Sequence, residues 1–137
     1  MAILLDPSAV VAAADAADLN HRAAVAWFER VDEPLLLGAL GLAELDLLLQ
    51  RELGVDATHA VLDSVIAGSI RIVPPTPEDL ARAADLMAEA AEHRPRLADA
   101  LLVATAERLS IRRVASFDRR PLAVFRPRHS RALDFEP

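Results

Sequence analysis

The alternation of short apolar runs with helical segments constrains the fold of this chain more than any other feature. Continuously apolar runs, typical of strands buried on both faces, occur at residues 2–5 and 35–37, further strands are predicted at 70–73 and 113–116, and a short edge strand is predicted at 133–135. Apolar residues at helical spacing occupy the segments between them, at 7–14, 21–31, 42–53, 57–67, 76–91 and 99–109. Strands that alternate with helices form parallel sheets with right-handed crossovers. We therefore expect a three-layer α/β/α fold with a short central parallel sheet of four to five strands.

Length and composition limit the class of protein. The chain has 137 residues, of which 53% are hydrophobic and 26% charged, and we expect one globular domain spanning residues 1–137. The absence of cysteine excludes disulfides, thiolate metal sites and cysteine nucleophiles. The N-terminus lacks the positive segment of a signal peptide, and the longest apolar run, residues 34–43, is about half of what a membrane-spanning helix needs. These features predict a cytoplasmic protein with no membrane contact.

Charge is distributed unevenly along the chain. The net charge is −6, which argues against a passive nucleic-acid-binding protein. Residues 1–107 hold 7 Arg and 18 acidic residues, whereas residues 108–137 hold 8 Arg and 3 acidic residues, and there is no lysine. Such a chain suits an acidic metal centre beside a basic rim that could hold a polyanion. An acidic surface with a basic tail explains the same charge pattern equally well.

Four acidic residues occur where the predicted fold brings side chains to one edge of the sheet. Asp6 and Asp118 each follow a strand and precede a helix, and Asp99 lies in the first turn of the helix that leads to the last long strand. Glu44 adjoins the buried stripe of its helix, whereas Asp46 is expected on the solvent side. The inward positions of the Asp99 helix are predicted to be Leu102, Val103, Ala106 and Leu109.

Taken alone, Asp6 and Asp99 could simply cap their helices, and Glu44 could be a solvated residue at the margin of a buried stripe. Together, four crowded anions repel one another unless a cation neutralises them. Hard divalent metals are the natural partners of a site built from oxygen ligands without cysteine or histidine. The sequence therefore favours a metal centre over four independent caps.

Local signals predict several helix ends and one core residue. Asn20 is expected to cap the second helix, Gly54 to end the third, and Asp56 to cap the fourth. Thr76, followed by Pro77 and an acid three residues after the cap, is typical of a helix start. Trp27, the only tryptophan, has the spacing of a core residue.

Four motifs in register resemble the PIN domain, and more narrowly the VapC-type toxins of bacterial type II toxin–antitoxin pairs. They are Ile-Leu-Leu-Asp-Pro-Ser-Ala-Val at residues 3–10, Ala-Glu-Leu at 43–45, Leu-Ala-Asp-Ala-Leu-Leu-Val-Ala-Thr-Ala at 97–106, and Val-Ala-Ser-Phe-Asp-Arg-Arg at 114–120. The resemblance covers nearly the whole chain. It departs from the family pattern at Pro7, where Thr or Ser is common, and at Arg96, where many relatives have Gly.

The resemblance implies a metal-dependent endoribonuclease. By this resemblance, Asp6, Glu44, Asp99 and Asp118 would hold one or two Mg²⁺ or Mn²⁺ ions, and Ser8 and Ser116 would orient carboxylates or waters. The implied reaction is hydrolysis of an RNA phosphodiester, which leaves a 5′-phosphate and a 3′-hydroxyl.

The resemblance also implies partners. A homodimer is expected, together with a small antitoxin whose C-terminal segment lies over the acidic cleft and often directs an arginine toward the carboxylates. Residues that could hold the RNA backbone are Arg112, Arg113, Arg119 and Arg120, although some of them could instead pair with surface acids.

Other functions remain open at the level of sequence. A phosphorelay receiver or a haloacid-dehalogenase-type phosphatase also places an aspartate after the first strand, but both need a lysine that this chain lacks. A PIN-like fold that binds or regulates without catalysis is a second alternative, and retention of all four acids argues against it. A nuclease that acts on DNA is a third.

Overall fold

Five parallel strands form the centre of the computed structural model, which describes residues 1–137. The strands are β1 (Ile3–Leu5), β2 (Leu35–Gly38), β3 (Ile70–Val73), β4 (Arg113–Ala115) and β5 (Asp134–Glu136). Their order across the sheet is β3-β2-β1-β4-β5. The predicted parallel sheet of four to five strands is thereby confirmed, with β5 as the predicted edge strand.

Helices cover both faces of this sheet, as predicted. They are α1 (Pro7–Ala14), α2 (His21–Arg30), α3 (Ala39–Leu53), α4 (Val55–Ile66), α5 (Pro77–Glu89), α6 (Leu97–Leu109) and α7 (Arg120–Ala123), with a 3₁₀ turn at Ala91–His93. Alternate residues of the strands point to opposite faces. Ile3 and Leu5 therefore pack in the layer with α1 to α4, whereas Leu4 and Val114 pack in the layer with α5 to α7.

The third and fourth helices begin differently from the prediction. Helix α3 begins at Ala39 instead of residue 42, because Gly41 lies within its first turn and does not end the preceding loop. A Cβ at Gly41 would lie 3.1 Å from the Leu37 side chain, so a glycine permits this close approach of helix and strand. Gly54, with a φ of 90°, ends α3 as predicted, but it also begins α4, so Asp56 lies in the first turn and is not the cap.

The inward face of α6 is rotated from the one predicted. Val103 and Ala106 are buried as expected, whereas Leu109 is exposed at the end of the helix and Leu102 is half-buried. Ala100 and Leu101 are buried instead, because α6 lies between the sheet and α5 and is covered on more than one side. Asp99 directly precedes this buried segment.

Trp27 ties the C-terminal strand to the second helix. Its side chain is buried in the core, as predicted, and its Nε1 donates a hydrogen bond of 3.0 Å to Glu136 on β5. The backbone N–H of Ser116 donates to the carbonyl of Glu136 at 2.9 Å, which fixes β5 beside the end of β4. The helices of this chain include none that is both long and apolar enough to cross a bilayer.

The strand order reverses between β1 and β4. From β1 the chain proceeds outward to β2 and β3 on one side, and then returns to add β4 and β5 on the other. Such a reversal opens a crevice beyond the carboxyl ends of the two central strands, where parallel sheets bind their ligands. This edge of the sheet is where Asp6 and Asp118 emerge.

Candidate metal centre

All four predicted carboxylates line one cleft at the carboxyl edge of the sheet. Asp6 follows β1, Asp118 follows β4, Asp99 lies in the first turn of α6, and Glu44 projects from α3. The cleft measures about 260 Å³. The four acids predicted from the sequence therefore lie in the same cleft. Ser8 lines it as well, and its Oγ contacts the buried Ser116.

Asp6 is held firmly in this cleft. It is the N-cap of α1, and its Oδ2 accepts hydrogen bonds from the backbone N–H of Ser8 at 3.3 Å, from Ser8 Oγ, and from Ser116 Oγ at 3.0 Å. Burial raises the pKa of Asp6, and the charge of Asp118 adds to this, although the serine hydrogen bonds act in the opposite direction. Asp6 is thus both a cap and a member of the cleft.

The two serines connect the first and last acids. Ser116 is fully buried, and Ser8 Oγ lies 3.3 Å from its hydroxyl. The backbone N–H of Asp118 lies 3.1 Å from Ser116 Oγ and 3.3 Å from Ser8 Oγ, and the N–H of Phe117 donates to Ser8 Oγ at 3.0 Å. The serine hydroxyls therefore fix the loop that carries Asp118 relative to the carboxylate of Asp6.

Asp99 has the most perturbed carboxyl of the four. Burial raises its pKa to about 6; the charge of Arg96 lowers it, and the charges of Asp6, Glu44 and Asp118 raise it further. Its carboxylate has no capping partner and no ion pair, so helix capping does not account for it. A carboxylate that has no ion-pair partner and lies near three other acids favours the binding of a cation.

Glu44 is the one acid of the four that has a cationic partner. Its Oε1 accepts a hydrogen bond from the guanidinium of Arg96, the residue just before α6. Asp46, two residues away, faces out of the cleft and accepts hydrogen bonds from Gln50 at 2.7 Å and Thr58 at 2.8 Å. The prediction that Glu44, and not Asp46, belongs to the site is therefore consistent with the geometry.

The donor chemistry of this cleft fits a divalent cation. Carboxylate and hydroxyl oxygens are the hard ligands that Mg²⁺ and Mn²⁺ prefer, and the half-buried carboxylate of Asp99 lies close enough to three other acids to feel their charges. As placed, no three of the acids converge closely enough to hold one ion between them. Glu44 points to Arg96 instead.

The four predicted phosphate-binding arginines lie in two places. Arg112 and Arg113 are at the N-terminal end of β4, opposite the acids, where Arg112 pairs with Asp134 at 3.1 Å and Arg113 pairs with Glu33 and Glu136. Arg119 and Arg120 lie beside Asp118, but Arg119 donates to the carbonyls of Ser116 and Pro137 at 3.0 and 2.6 Å. Arg120 alone is exposed and without a partner next to the cleft.

Several residues of the cleft, Arg96 among them, were not predicted from the sequence as members of the site. Asp18, Asn20 and Phe117 all line it. Asn20 is the N-cap residue of α2, as predicted, but its side chain makes no capping hydrogen bond. A helix-cap signal and a cleft-lining asparagine look the same in sequence, because both place a short polar residue in the loop before a helix.

The chain matches one known protein family over most of its length. The model of the PIN domain family matches residues 3–126, which includes all four acids of the cleft. The chain belongs to the PIN domain family. The resemblance drawn from its motifs is thereby confirmed.

Individual PIN proteins extend this comparison. The chain is 30% identical over 125 residues to ribonuclease VapC26 of Mycobacterium tuberculosis (strain ATCC 25618 / H37Rv), a match that covers 91% of this chain and 93% of that protein. Its fold is similar to that of Mycobacterium tuberculosis VapC20, a toxin that cleaves the sarcin-ricin loop, with a TM-score of 0.82, 22% identity and coverage of 94% and 98% of the two chains. It is also similar to VapBC2 from Rickettsia felis, solved with a DNA fragment from their promoter, with a TM-score of 0.72, 12% identity and full coverage of both chains.

Proposed function

We propose that this PIN protein is the toxin of a type II toxin–antitoxin pair, a single nuclease domain over residues 1–137 that hydrolyses RNA in the cytoplasm with Mg²⁺ or Mn²⁺. The observation that carries the proposal is the convergence of Asp6, Glu44, Asp99 and Asp118 on one cleft at the strand reversal. The relation to ribonuclease VapC26 supports RNA as the substrate. PIN-domain ribonucleases generally depend on a divalent metal, which supports the cofactor.

Asp6, Asp99 and Asp118 have distinct parts in the proposed reaction. A bound divalent cation supplies the positive charge that lowers the pKa of the attacking water and offsets charge on the leaving 3′-oxygen. Asp6 is held in place by the hydrogen bonds that its carboxylate accepts from Ser8 and Ser116. Asp99 is the acid whose carboxylate is most disfavoured by burial and by the neighbouring negative charges. Asp118, the exposed acid, lies at the mouth of the cleft, where a phosphodiester would enter.

An antitoxin partner and a homodimer complete the proposal. Fold neighbours of this chain are VapBC and FitAB complexes, which supports an antitoxin partner. Beside the cleft, we propose Arg119 and Arg120 as contacts to the RNA backbone, with Arg120 the freer of the two.

The decisive experiment is cleavage of a total RNA pool by purified, antitoxin-free protein. It compares wild type with Asp99→Asn in Mg²⁺ and Mn²⁺, and an EDTA sample measures metal dependence. Asp85→Asn is the matched control, because Asp85 is an exposed acid on α5 outside the cleft. We expect cuts at discrete sites that Asp99→Asn slows by more than about 100-fold, since loss of even outer residues of a metal site costs about 10- to 100-fold.

Other outcomes identify the alternatives. If the folded wild type leaves RNA intact but cuts a DNA pool, the protein is a DNA nuclease. If it binds Mn²⁺ but cuts neither, the fold serves a binding or regulatory role. RNA cleavage that survives Asp99→Asn would show that the site has been assigned to the wrong residues.

A further inference from the structure

Arg96 is the one basic residue that lines the acidic cleft. It is the N-cap residue of α6, and its side chain crosses to α3, where the guanidinium donates to Glu44 Oε1. The two residues are 52 positions apart in sequence, so this contact is made by the tertiary fold. Arg96 accordingly occupies the space beside a carboxylate that the proposed metal centre needs.

The charge of Arg96 reaches beyond this one contact. Besides its hydrogen bond to Glu44, the guanidinium lies close enough to Asp99 and Asp118 for their charges to raise the pKa of Arg96. Arg96 therefore neutralises part of the charge that a divalent cation would otherwise neutralise. A single Arg bears one positive charge and a divalent metal two, so the metal remains the stronger partner for four carboxylates.

We propose that Arg96 is an internal counter-ion, which bonds Glu44 in the metal-free protein and gives up this carboxylate when a divalent cation binds. The inference rests on the proposed metal centre. It accounts for one observation in particular: Glu44 is the acid of the cleft that has a cationic partner, and that partner is Arg96. The exchange needs no movement of the backbone, since the Arg96 side chain is 64% exposed and free to swing into solvent.

The exposure of the Arg96 and Glu44 side chains also limits how strongly Arg96 can compete with a metal ion. Ion pairs near the surface contribute little, because water and salt screen them. The competition is therefore modest, and we expect removal of the guanidinium to tighten Mn²⁺ binding about 2- to 10-fold. A larger effect would require a buried pair, which Glu44 and Arg96, at 24% and 64% exposure, do not form.

A matched pair of substitutions separates this contact from a general loss of positive charge. Arg96→Gln removes the cation that contacts Glu44, and Arg94→Gln removes an exposed cation two residues earlier that has no acidic partner. Both keep a long polar side chain and change the net charge equally. Mn²⁺ affinity is measured by isothermal titration calorimetry on antitoxin-free protein, with circular dichroism to confirm that each variant is folded.

A double-mutant cycle tests whether Glu44 is the shared ligand. We expect Arg96→Gln to tighten Mn²⁺ binding more than Arg94→Gln, and to have no such effect when Glu44→Gln is also present. Equal effects of the two arginine substitutions, or weaker binding by Arg96→Gln, would overturn the proposal. An Arg96→Gln effect that persists with Glu44→Gln would also overturn it, because the guanidinium would then act on the cleft as a whole.

The same titration keeps this inference separate from the proposed function. Mn²⁺ binding by the wild type that is unchanged in Arg96→Gln contradicts the counter-ion and leaves the metal centre standing. Failure of every variant, wild type included, to bind Mn²⁺ contradicts both.

Discussion

At the scale of single residues, the raised pKa of Asp99 has a consequence for stability. In the unfolded chain this carboxyl titrates near its ordinary pKa of 3.8, whereas in the metal-free fold burial and three neighbouring acids raise the pKa to about 6. The folded state therefore holds a proton that the unfolded state releases between these two values. At every pH above about 6, the ionised form of Asp99 therefore lowers the free energy of unfolding of the metal-free protein.

We predict that Asp99→Asn makes the metal-free protein more stable at pH 7.5, by about 1–3 kcal/mol. The gain should shrink as pH falls from about 6 toward 4, because Asp99 of the folded wild type then becomes neutral as well. Urea unfolding of both proteins in EDTA across this range measures the difference. Asp85→Asn, on an exposed part of α5, should show no such gain, and a destabilised Asp99→Asn at pH 7.5 would contradict the prediction.

The same scale shows which site residues a sequence can reveal. Asp6 and Asp118 were predictable because an apolar run that ends at an acid marks the end of a buried strand, and the sheet then fixes where that acid lies. The partner of Arg96 was not predictable. Arg96 and Glu44 meet across two helices that are brought together only by the packed fold, and nothing in their spacing indicates the contact.

At the scale of elements, the start of α5 depends on one buried acid. Asp79 forms a capping box with Thr76 and an ion pair with Arg108 of α6, with hydrogen bonds of 2.9 and 3.0 Å. Burial alone would raise the pKa of Asp79, but the hydrogen bonds from Arg108 and from the backbone of Thr76 outweigh it and lower the pKa. The charged form of Asp79 therefore stabilises the packing of α5 on α6.

We predict that Asp79→Asn destabilises the protein by about 2–4 kcal/mol at pH 7, because it breaks a buried ion pair and one half of a helix cap. The cost should diminish as pH falls below the ordinary pKa of 3.8, because the unfolded chain then takes up a proton at Asp79, whereas the folded wild type keeps this charge until the pH reaches its lowered pKa. Urea unfolding midpoints at pH 7 and pH 3.5 give both quantities. Glu78→Gln, on the exposed neighbour in the same helical turn, is the control, and an equal loss there would refute the specific role of Asp79.

Element boundaries were predictable where a local signal has one meaning. Thr76 and Pro77 begin a helix in the structure as in the sequence, because a capping box depends only on residues three apart. The predicted start of α3 was wrong at Gly41, because glycine is typical of loops in general, whereas here it allows a close contact between a helix and a strand. Asp56 failed as a cap for a related reason: Gly54 had already begun the helix.

At the scale of the whole molecule, the structure divides the basic C-terminal segment into paired and unpaired arginines. The side chains of four of its eight arginines are held by protein oxygens: Arg108, Arg112, Arg113 and Arg119. Two of these arginines, Arg112 and Arg113, hold the N-terminal end of β4 through three ion pairs, to Asp134, Glu33 and Glu136, so part of the positive charge stabilises the C-terminal strand. Only the unpaired arginines of this segment are free to attract a polyanion. Where these arginines lie is then more important for binding than how many there are.

Position along the sheet distinguishes the arginines that we propose as RNA contacts from those far from the acids. Arg120 is unpaired and two residues from Asp118, whereas Arg112 lies at the far end of β4 in an ion pair with Asp134. We predict that Arg120→Gln weakens binding of single-stranded RNA to the Asp99→Asn variant and lowers the slope of log K against log salt by about 0.7, the value for one phosphate contact. Arg112→Gln removes the same charge and should leave that slope unchanged. Fluorescence anisotropy over a salt series measures both, and a slope that falls equally for the two variants would mean that RNA senses only the overall charge of the protein, not a basic group beside its metal centre.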